Sequence, residues 1–190
     1  MRLPQSALLL LALLYAACST PSRQLPKYEA PLARTRFQTI KTTAYTHTES
    51  DHLAYGNKSA LGTALKCGPT IHSAAADWGR WPAGTVFKLC STNEIIFVDD
   101  YGWALTGRNT IDLYKPSRSA MNAWGARRET IEILRWGDPN RSLHRLRPAE
   151  KYAHVAQMIR DIKRFWRRPE PVAAPSPTLL ALAQSLPPQP

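Results

Sequence analysis

The fold is indicated by residues 95–114, which read Ile95-Ile-Phe-Val-Asp-Asp100-Tyr-Gly-Trp-Ala-Leu-Thr-Gly-Arg-Asn-Thr-Ile-Asp112-Leu-Tyr114. Four consecutive apolar residues open this stretch, and such a run is typical of a buried strand. Asp99 and Asp100 stand where that strand ends, and we expect their side chains to face in different directions. Gly102 and Gly107 then favour a turn, because glycine tolerates positive φ.

A second apolar run at residues 111–114 contains an acid. Strand alternation places Ile111 and Leu113 on one face and Asp112 on the other. A strand that holds a carboxylate between two core positions is typical of a cleft wall. The same pattern also fits a plain strand–turn–strand whose acids are solvated turn formers, since Asp is common in turns.

The composition predicts one compact domain with irregular ends. The chain has 190 residues and a net charge of +11, with 44% hydrophobic residues. That length suffices for one domain plus extensions. Its sixteen prolines cluster at the two ends of the chain. We therefore predict a linker at residues 19–36 and a disordered Pro-rich tail at residues 169–190.

Residues 1–18 resemble an export signal. Arg2 supplies a positive charge, and the apolar stretch at residues 8–14 is too short to span a bilayer. Tyr-Ala-Ala-Cys at residues 15–18 resembles a bacterial lipobox, which makes Cys18 the predicted lipidation site. We expect a periplasmic lipoprotein held to the outer membrane by its lipid anchor. Ordinary cleavage that leaves a soluble secreted protein is the alternative.

The other two cysteines are Cys67 and Cys90. An exported protein meets an oxidising compartment, so we predict a disulfide between them. Two buried free thiols are the alternative. Metal binding is not expected, because no tight Cys/His spacing surrounds either residue.

Short alternating segments separated by glycines favour a small β-barrel over a sandwich of long strands. A polar loop at residues 46–60 carries His47 and His52, which could bind substrate or metal but are more typical of an exposed loop. We predict strands at residues 37–45, 70–76, 86–90, 95–98, 111–114 and 129–136.

Residues 138–168 differ from the rest of the chain. Apolar residues recur at steps of three and four from Tyr152 to Trp166, which predicts an amphipathic helix. Nine Lys and Arg residues stand against three Asp and Glu residues in this region. Such a helix either packs on its own domain or lies on an anionic membrane or envelope polymer.

Several segments resemble the 3D domain in their order and spacing. These segments are Thr43-Ala44-Tyr45, Ala60-Leu61-Gly62-Thr63, Ala75-Ala76-Asp77, Pro82-Ala83-Gly84-Thr85, residues 100–107, and Ile111-Asp112-Leu113-Tyr114. The family is named for three aspartates and is found in the C-terminal part of membrane-bound lytic transglycosylase A. Trp103 stands where the family usually has a small residue, and Thr106 where it usually has Lys.

The resemblance implies a six-stranded double-psi β-barrel over residues 37–137. It also implies peptidoglycan glycan strands as the substrate, with no cofactor or metal. The residues at the family's positions are Asp112, Asp100 and Asp77 for catalysis, and Tyr45, Trp103, Gly102 and Thr106 for substrate binding. We expect a monomer. We do not expect it to bind nucleic acid, because export would separate the protein from nucleic acid.

The resemblance also implies a mechanism. A hydrolase usually needs two carboxylates to cleave a β-1,4 glycosidic bond. A lytic transglycosylase can use one, because the C6 hydroxyl of the sugar attacks the anomeric carbon and gives a 1,6-anhydro product. We expect Asp112 to be the acid and then the base, with its pKa raised by burial and by neighbouring carboxylates. Asp100 would order the hydroxyl or stabilise the cation, and Asp77 would hold a turn.

Two other functions remain open. The chain could be a wall-binding module without activity, using aromatic side chains and its basic charge on anionic polymers. At least two of these aromatic residues should pack in the core instead. The candidates are Trp78, Trp81, Tyr101, Trp103 and Trp124. The other option is an acidic Ca²⁺ or Mg²⁺ site at Asp77, Asp100 and Asp112, although no metal-loop periodicity supports it.

Overall fold

A computed structural model describes residues 24–50 and 52–166. The predicted signal segment with Cys18 and the predicted tail at residues 169–190 lie outside the described residues. None of the described helices is long and apolar enough to cross a membrane.

The protein is mainly β, as predicted. Each predicted strand is present, with ends that differ from the prediction by at most two residues. The six strands are β1 (Phe37–Tyr45), β2 (His72–Ala75), β3 (Val86–Leu89), β4 (Ile95–Asp100), β5 (Thr110–Tyr114) and β6 (Arg127–Arg135).

The strands pair in the closed order β1-β5-β2-β4-β3-β6, which forms a barrel. The pairs β1–β5 and β2–β4 are parallel, and the other four pairs are antiparallel. Parallel neighbours cannot be joined by a tight hairpin, so the chain must cross the barrel between them. This crossing brings the ends of β2, β4 and β5 together.

Alternation along the strands fills the barrel. On β1, Gln38, Ile40 and Thr42 are buried, while residues 37, 39 and 41 are exposed. Ile111 and Leu113 on β5 are 0% and 1% exposed, as their period predicted. Trp78 and Trp81 are also in the core, which confirms that at least two of the aromatic candidates pack inside.

The C-terminal region forms two helices rather than the single one predicted. They are α2 (Pro139–Leu146) and α3 (Ala153–Phe165), separated by a 3₁₀ turn at Arg147–Ala149, and α1 (Arg118–Trp124) precedes them. Pro148 in the turn has no backbone N–H to continue α2. The α3 residues Val155, Met158, Ile159 and Ile162 belong to the same buried cluster as the barrel core, so the amphipathic helix packs on its own domain.

Residues 24–36, part of the predicted linker, include contacts to the rest of the described chain. Glu29 donates its backbone N–H to the Gly107 carbonyl at 2.7 Å, and its carboxylate accepts from the Asn109 N–H at 2.6 Å. The carboxylate also pairs with Arg108 at 3.2 Å. These contacts have no sequence period, which is why the segment resembles a linker in the sequence.

The predicted disulfide is not formed in this structure. Cys67 and Cys90 are both free thiols. Cys67 forms an isolated backbone β-bridge with His72 at the start of β2, whereas Cys90 follows β3. In the barrel, β4 lies between β2 and β3. Since neighbouring strands are about 4.8 Å apart, two such steps exceed the Cα separation of about 4.4–6.8 Å that a disulfide allows.

The backbone at Gly137, just before α2, lies very close to the backbone of residues 82–85. A Cβ at this position would lie 2.3 Å from the carbonyl oxygens of Pro82 and Ala83, and 2.6 Å from the Thr85 nitrogen. All three are backbone atoms, so we expect Gly137→Ala to lower the free energy of unfolding by at least about 2 kcal/mol. Urea unfolding measures the change.

Gly68→Ala is the matched control, because a Cβ at Gly68 meets nothing within 4 Å. We expect its unfolding free energy to stay within about 0.5 kcal/mol of wild type. Equal stability of the two variants would contradict the close approach at Gly137.

Candidate active site

Two predicted acids lie on either side of Ala75. In the strand register, Ala75 of β2 pairs with Asp112 of β5 and with Asp100 of β4. Residues paired across neighbouring strands present their side chains to the same side of the sheet. At about 4.8 Å per strand, the Cα atoms of the two acids lie roughly 10 Å apart. The register therefore brings Asp100 and Asp112 to one patch of the barrel.

Asp100 is buried, and both of its carboxylate oxygens accept hydrogen bonds. It is 6% exposed. Its Oδ2 accepts from the Tyr45 hydroxyl at 3.0 Å, and its Oδ1 accepts from the backbone N–H groups of Ala60 at 3.0 Å and Tyr101 at 2.9 Å. Burial raises the pKa of Asp100, and these donors oppose the shift. Its carboxyl group is thus fixed in place rather than open to a ligand.

Asp112 is the less buried acid of the pair, although its Oδ1 is shielded from solvent. It is half-buried, between Ile111 and Leu113, which are buried. Besides Ala75, its register partner is Thr43 on β1. Strand neighbours on both sides fix its backbone, so the side chain has a defined position at the surface of the barrel.

Tyr45 contacts Asp100. It is 8% exposed and donates its hydroxyl to Asp100. Burial raises the pKa of Tyr45 well above its ordinary value, and the negative charges of Asp100, Asp99 and Asp112 raise it further. The predicted substrate-binding residue Tyr45 is therefore held against Asp100 and keeps its proton at neutral pH.

Aromatic and imidazole rings surround this pair. His52 lies 5.6 Å from the Tyr45 ring, and Tyr114 lies at the same distance on an edge-to-face contact. His47 Nδ1 is 2.8 Å from the Tyr114 hydroxyl. The sequence predicts only loop residues for the two histidines and assigns no role to Tyr114. Tyr114 could have been found from its period, since it is two residues after Asp112 on the same strand.

Asp99 occupies a different environment from Asp100. Pairing passes from Ala74–Val98 to Ala75–Asp100, so Asp99 is an extra residue in a bulge. It is 1% exposed, and its Oδ2 accepts from the Ser73 hydroxyl at 2.7 Å. Burial raises the pKa of Asp99 from 3.8 to about 7, with a contribution from the charge of Asp100.

The structure argues against a catalytic role for Asp77. It is 0% exposed, and its two oxygens accept from the backbone N–H groups of Gly79 at 2.7 Å and Gly107 at 2.6 Å. Burial raises its pKa to about 6, against the effect of these donors. A substrate cannot reach this carboxyl group, so Asp77 holds turns together, the structural role that the mechanism assigned to it.

Thr106 is also too buried for its predicted role in substrate binding. It is 1% exposed, and its hydroxyl donates to the Gly102 carbonyl at 3.4 Å. Gly102 and Trp103 are half-buried on the same turn, and their substrate contacts stay predictions.

An acidic metal site is not supported. Among residues 24–50 and 52–166, no group of three or more His, Cys, Asp or Glu residues has a geometry that could hold a metal ion.

No model of a known protein family matches the chain, and no curated protein matches it. The resemblance to the 3D domain therefore stays a prediction.

The raised pKa of Asp99 predicts a pH-dependent stability. Between about pH 4 and pH 7 the unfolded chain loses the Asp99 proton while the folded protein keeps it, so the free energy of unfolding falls as pH rises. In Asp99→Asn this fall should be smaller, because an amide does not ionise. Asp77 and Asp100, whose pKa values are also raised, should leave a residual slope.

Urea unfolding between pH 4 and pH 8 measures the effect. We expect the stability of Asp99→Asn relative to wild type to rise over this range by about 1–4 kcal/mol. The exposed Glu150 provides a control, and Glu150→Gln should keep the wild-type slope. Parallel curves for Asp99→Asn and wild type would show that Asp99 titrates normally.

Proposed function

We propose that this protein cleaves the glycan strands of peptidoglycan by the lytic transglycosylase reaction, with Asp112 as the acid and base. The observation that carries the proposal is the contrast between Asp112, which is half-buried at the surface, and Asp100, which is 6% exposed beside it. Of the four aspartates considered, Asp77, Asp99 and Asp100 are all buried. Asp112 is the only one of these four that is not buried, although its Oδ1 is shielded from solvent.

A single aspartate that is not buried favours transglycosylation over hydrolysis. A glycosidase that uses water normally needs a second carboxyl group that can contact the sugar or the water. Asp100 accepts three hydrogen bonds and has no capacity for that role in this arrangement. In the transglycosylase reaction, the attacking hydroxyl belongs to the substrate, so the second carboxyl group is unnecessary.

The reaction takes two proton transfers at Asp112. The protonated carboxyl group gives its proton to the glycosidic oxygen as the bond to the anomeric carbon breaks. The C6 hydroxyl attacks that carbon, and the Asp112 carboxylate takes its proton. Asp100 fixes Tyr45 through the 3.0 Å hydrogen bond, and its negative charge would stabilise the positive charge that develops on the sugar.

The fold is compatible with the family that this proposal invokes. The closed order with two parallel and four antiparallel pairs supports, as part of the proposal, a double-psi barrel of the 3D-domain type. The lipid anchor at Cys18 and the location at the outer membrane belong to the same proposal.

A non-catalytic wall-binding module is the second candidate. Trp124 is half-buried, with the Arg127 guanidinium 3.4 Å and the Lys115 ammonium 4.7 Å from its ring centre. An aromatic ring between two cations suits a sugar polymer that carries anionic groups. Because Trp78 and Trp81 are in the core, Trp124 is the strongest remaining aromatic candidate for this surface.

Digestion of purified peptidoglycan tests the first candidate. We expect wild type to release anhydromuropeptides, and Asp112→Asn to lower the rate by at least about 100-fold, because the amide cannot donate or accept the proton. Liquid chromatography with mass spectrometry identifies the products. Glu150→Gln, which changes an exposed acid in the same way, should keep full activity. Equal product from Asp112→Asn would remove the proposal, as would no product from wild type.

Sedimentation with insoluble peptidoglycan tests the second candidate. Trp124→Ala should weaken binding by about 10-fold, and higher salt should weaken it further. Tyr152→Ala is the matched control, since Tyr152 is 52% exposed with the Lys151 ammonium 5.2 Å from its ring centre. Binding that survives Trp124→Ala unchanged would exclude this surface.

A further inference from the structure

A short hairpin before β2 holds a cysteine opposite a histidine. Cys67 and His72 form an antiparallel bridge, and the Gly68 N–H donates to the Ile71 carbonyl at 3.3 Å inside the turn. Ser73 reinforces the base of the hairpin, because its backbone N–H donates to the Lys66 carbonyl at 2.8 Å. Residues opposite each other in such a bridge have Cβ atoms about 5 Å apart. The backbone therefore fixes the two side chains next to each other.

The side chains form a chain of thiol, imidazole and carboxylate. Cys67 Sγ lies 3.4 Å from His72 Nδ1. The other ring nitrogen, Nε2, lies 3.6 Å from Glu94 Oε1. Glu94 reaches this position because it precedes β4, and β4 runs parallel to β2 with Ile96 opposite His72. A nucleophile, a base and a group that orients the base are the three parts of an activated nucleophile.

The charges around the chain define its resting state. Burial raises the pKa of the Cys67 thiol, and the positive charge of Lys115 opposes this shift. Burial lowers the pKa of His72, against the charge of Glu94. At neutral pH the resting pair is therefore a neutral thiol beside a neutral imidazole. His72 can accept a proton as the thiol reacts, and the Lys115 ammonium favours negative charge on the sulfur.

Cys90 shows what distinguishes Cys67. Cys90 is exposed, and its backbone N–H pairs with Thr130. None of the hydrogen bonds or ion pairs found in the described part of the chain gives the Cys90 thiol an imidazole partner. Cys67 is instead half-buried and packs against the small cluster that contains Tyr45 and Tyr114. The reactive geometry is thus specific to one of the two thiols, and it lies next to the patch of Asp100 and Asp112.

We propose that Cys67, His72 and Glu94 form a second reactive centre, in which the Cys67 thiol attacks the carbonyl carbon of an ester or amide. The thiol proton moves to His72 Nδ1 as the S–C bond forms. The bond from the carbonyl carbon to the leaving oxygen or nitrogen then breaks, and the leaving group takes the proton from His72. The product is an acyl group on Cys67, which water or an amine removes. Glu94 orients the imidazole as a positioning residue. This centre does not depend on the glycan-cleaving function proposed above.

Acylation of the full chain by p-nitrophenyl acetate tests the proposal. Two double variants allow each thiol to be measured alone. The variant Cys18→Ser with Cys90→Ser keeps only Cys67, and the variant Cys18→Ser with Cys67→Ser keeps only Cys90. Release of p-nitrophenolate gives the rate, and peptide mass mapping locates the acetyl group. We expect Cys67 to react at least about 10-fold faster than Cys90 at pH 7. We expect His72→Ala to lower the Cys67 rate by about 100-fold. His72→Ala should leave the Cys90 rate unchanged.

The pH profile gives a readout that does not require a variant at His72. With His72 as base, the Cys67 rate should reach its plateau near the imidazole pKa, which burial lowers from 6.5. The titratable and charged groups around this imidazole are Cys67, Glu94 and Lys115. An unassisted thiol would instead gain rate up to about pH 8.5, and Cys90 should behave in this way. Glu94→Gln should lower the Cys67 rate by about 10-fold without moving the acetyl group to another residue.

Three results would overturn the proposal. They are a Cys67 rate no higher than that of Cys90, a rate that follows thiol ionisation, and a His72→Ala variant that is folded by circular dichroism and reacts at the wild-type rate.

Discussion

The carboxyl group of Asp77 fixes the part of the barrel on which the site depends. With no solvent exposure, it accepts one backbone N–H from the loop after β2 at Gly79 and one from the turn after β4 at Gly107. Arg80 adds a hydrogen bond of 2.6 Å to the Gly107 carbonyl. Because Gly107 has φ of 73° and precedes β5 by three residues, these bonds determine where β5 begins and hence where Asp112 lies. Breaking a buried charged interaction of this kind typically costs about 3–5 kcal/mol.

Four aspartates of the same chemistry have four different environments. Asp77 accepts from two backbone N–H groups and pairs with the Arg80 guanidinium at 3.5 Å, Asp99 lies in a bulge against Ser73, and Asp100 accepts three donors. Asp112 alone of the four is half-buried. Burial raises the pKa of the first three, so the folded protein keeps several acids out of water at a cost in stability. Burial thus distinguishes these three from the one aspartate to which the proposed reaction assigns the proton transfers.

The sequence predicted the strands because their signals are local. The apolar run of β4 and the alternation in β1 and β5 each depend on a few neighbouring residues, and all appear in the structure. The position of Asp112 beside Asp100 followed from the resemblance, and the register through Ala75 agrees with it. The burial of Thr106 has no local signal, because it depends on how a turn folds against the barrel.

Long-range contacts explain the other errors. A disulfide between Cys67 and Cys90 seemed reasonable from composition, but the strand order places β4 between their strands. Glu29 pairs with Arg108 and Arg80 donates to the Glu29 carbonyl, and such single contacts of the N-terminal segment leave no periodic pattern. His47 and Tyr114 meet at 2.8 Å across 67 residues of sequence, so neither residue alone signals the contact.

If Cys18 carries a lipid as proposed, the attachment of Glu29 beside Gly107 would limit how far the barrel can be from the membrane. Glu29 is eleven residues after Cys18. Eleven residues reach at most roughly 40 Å when fully extended. With a lipid on Cys18, this tether would therefore hold the barrel near the bilayer surface. The length of the tether, rather than free diffusion, would then set how far the barrel reaches into a thick polymer mesh.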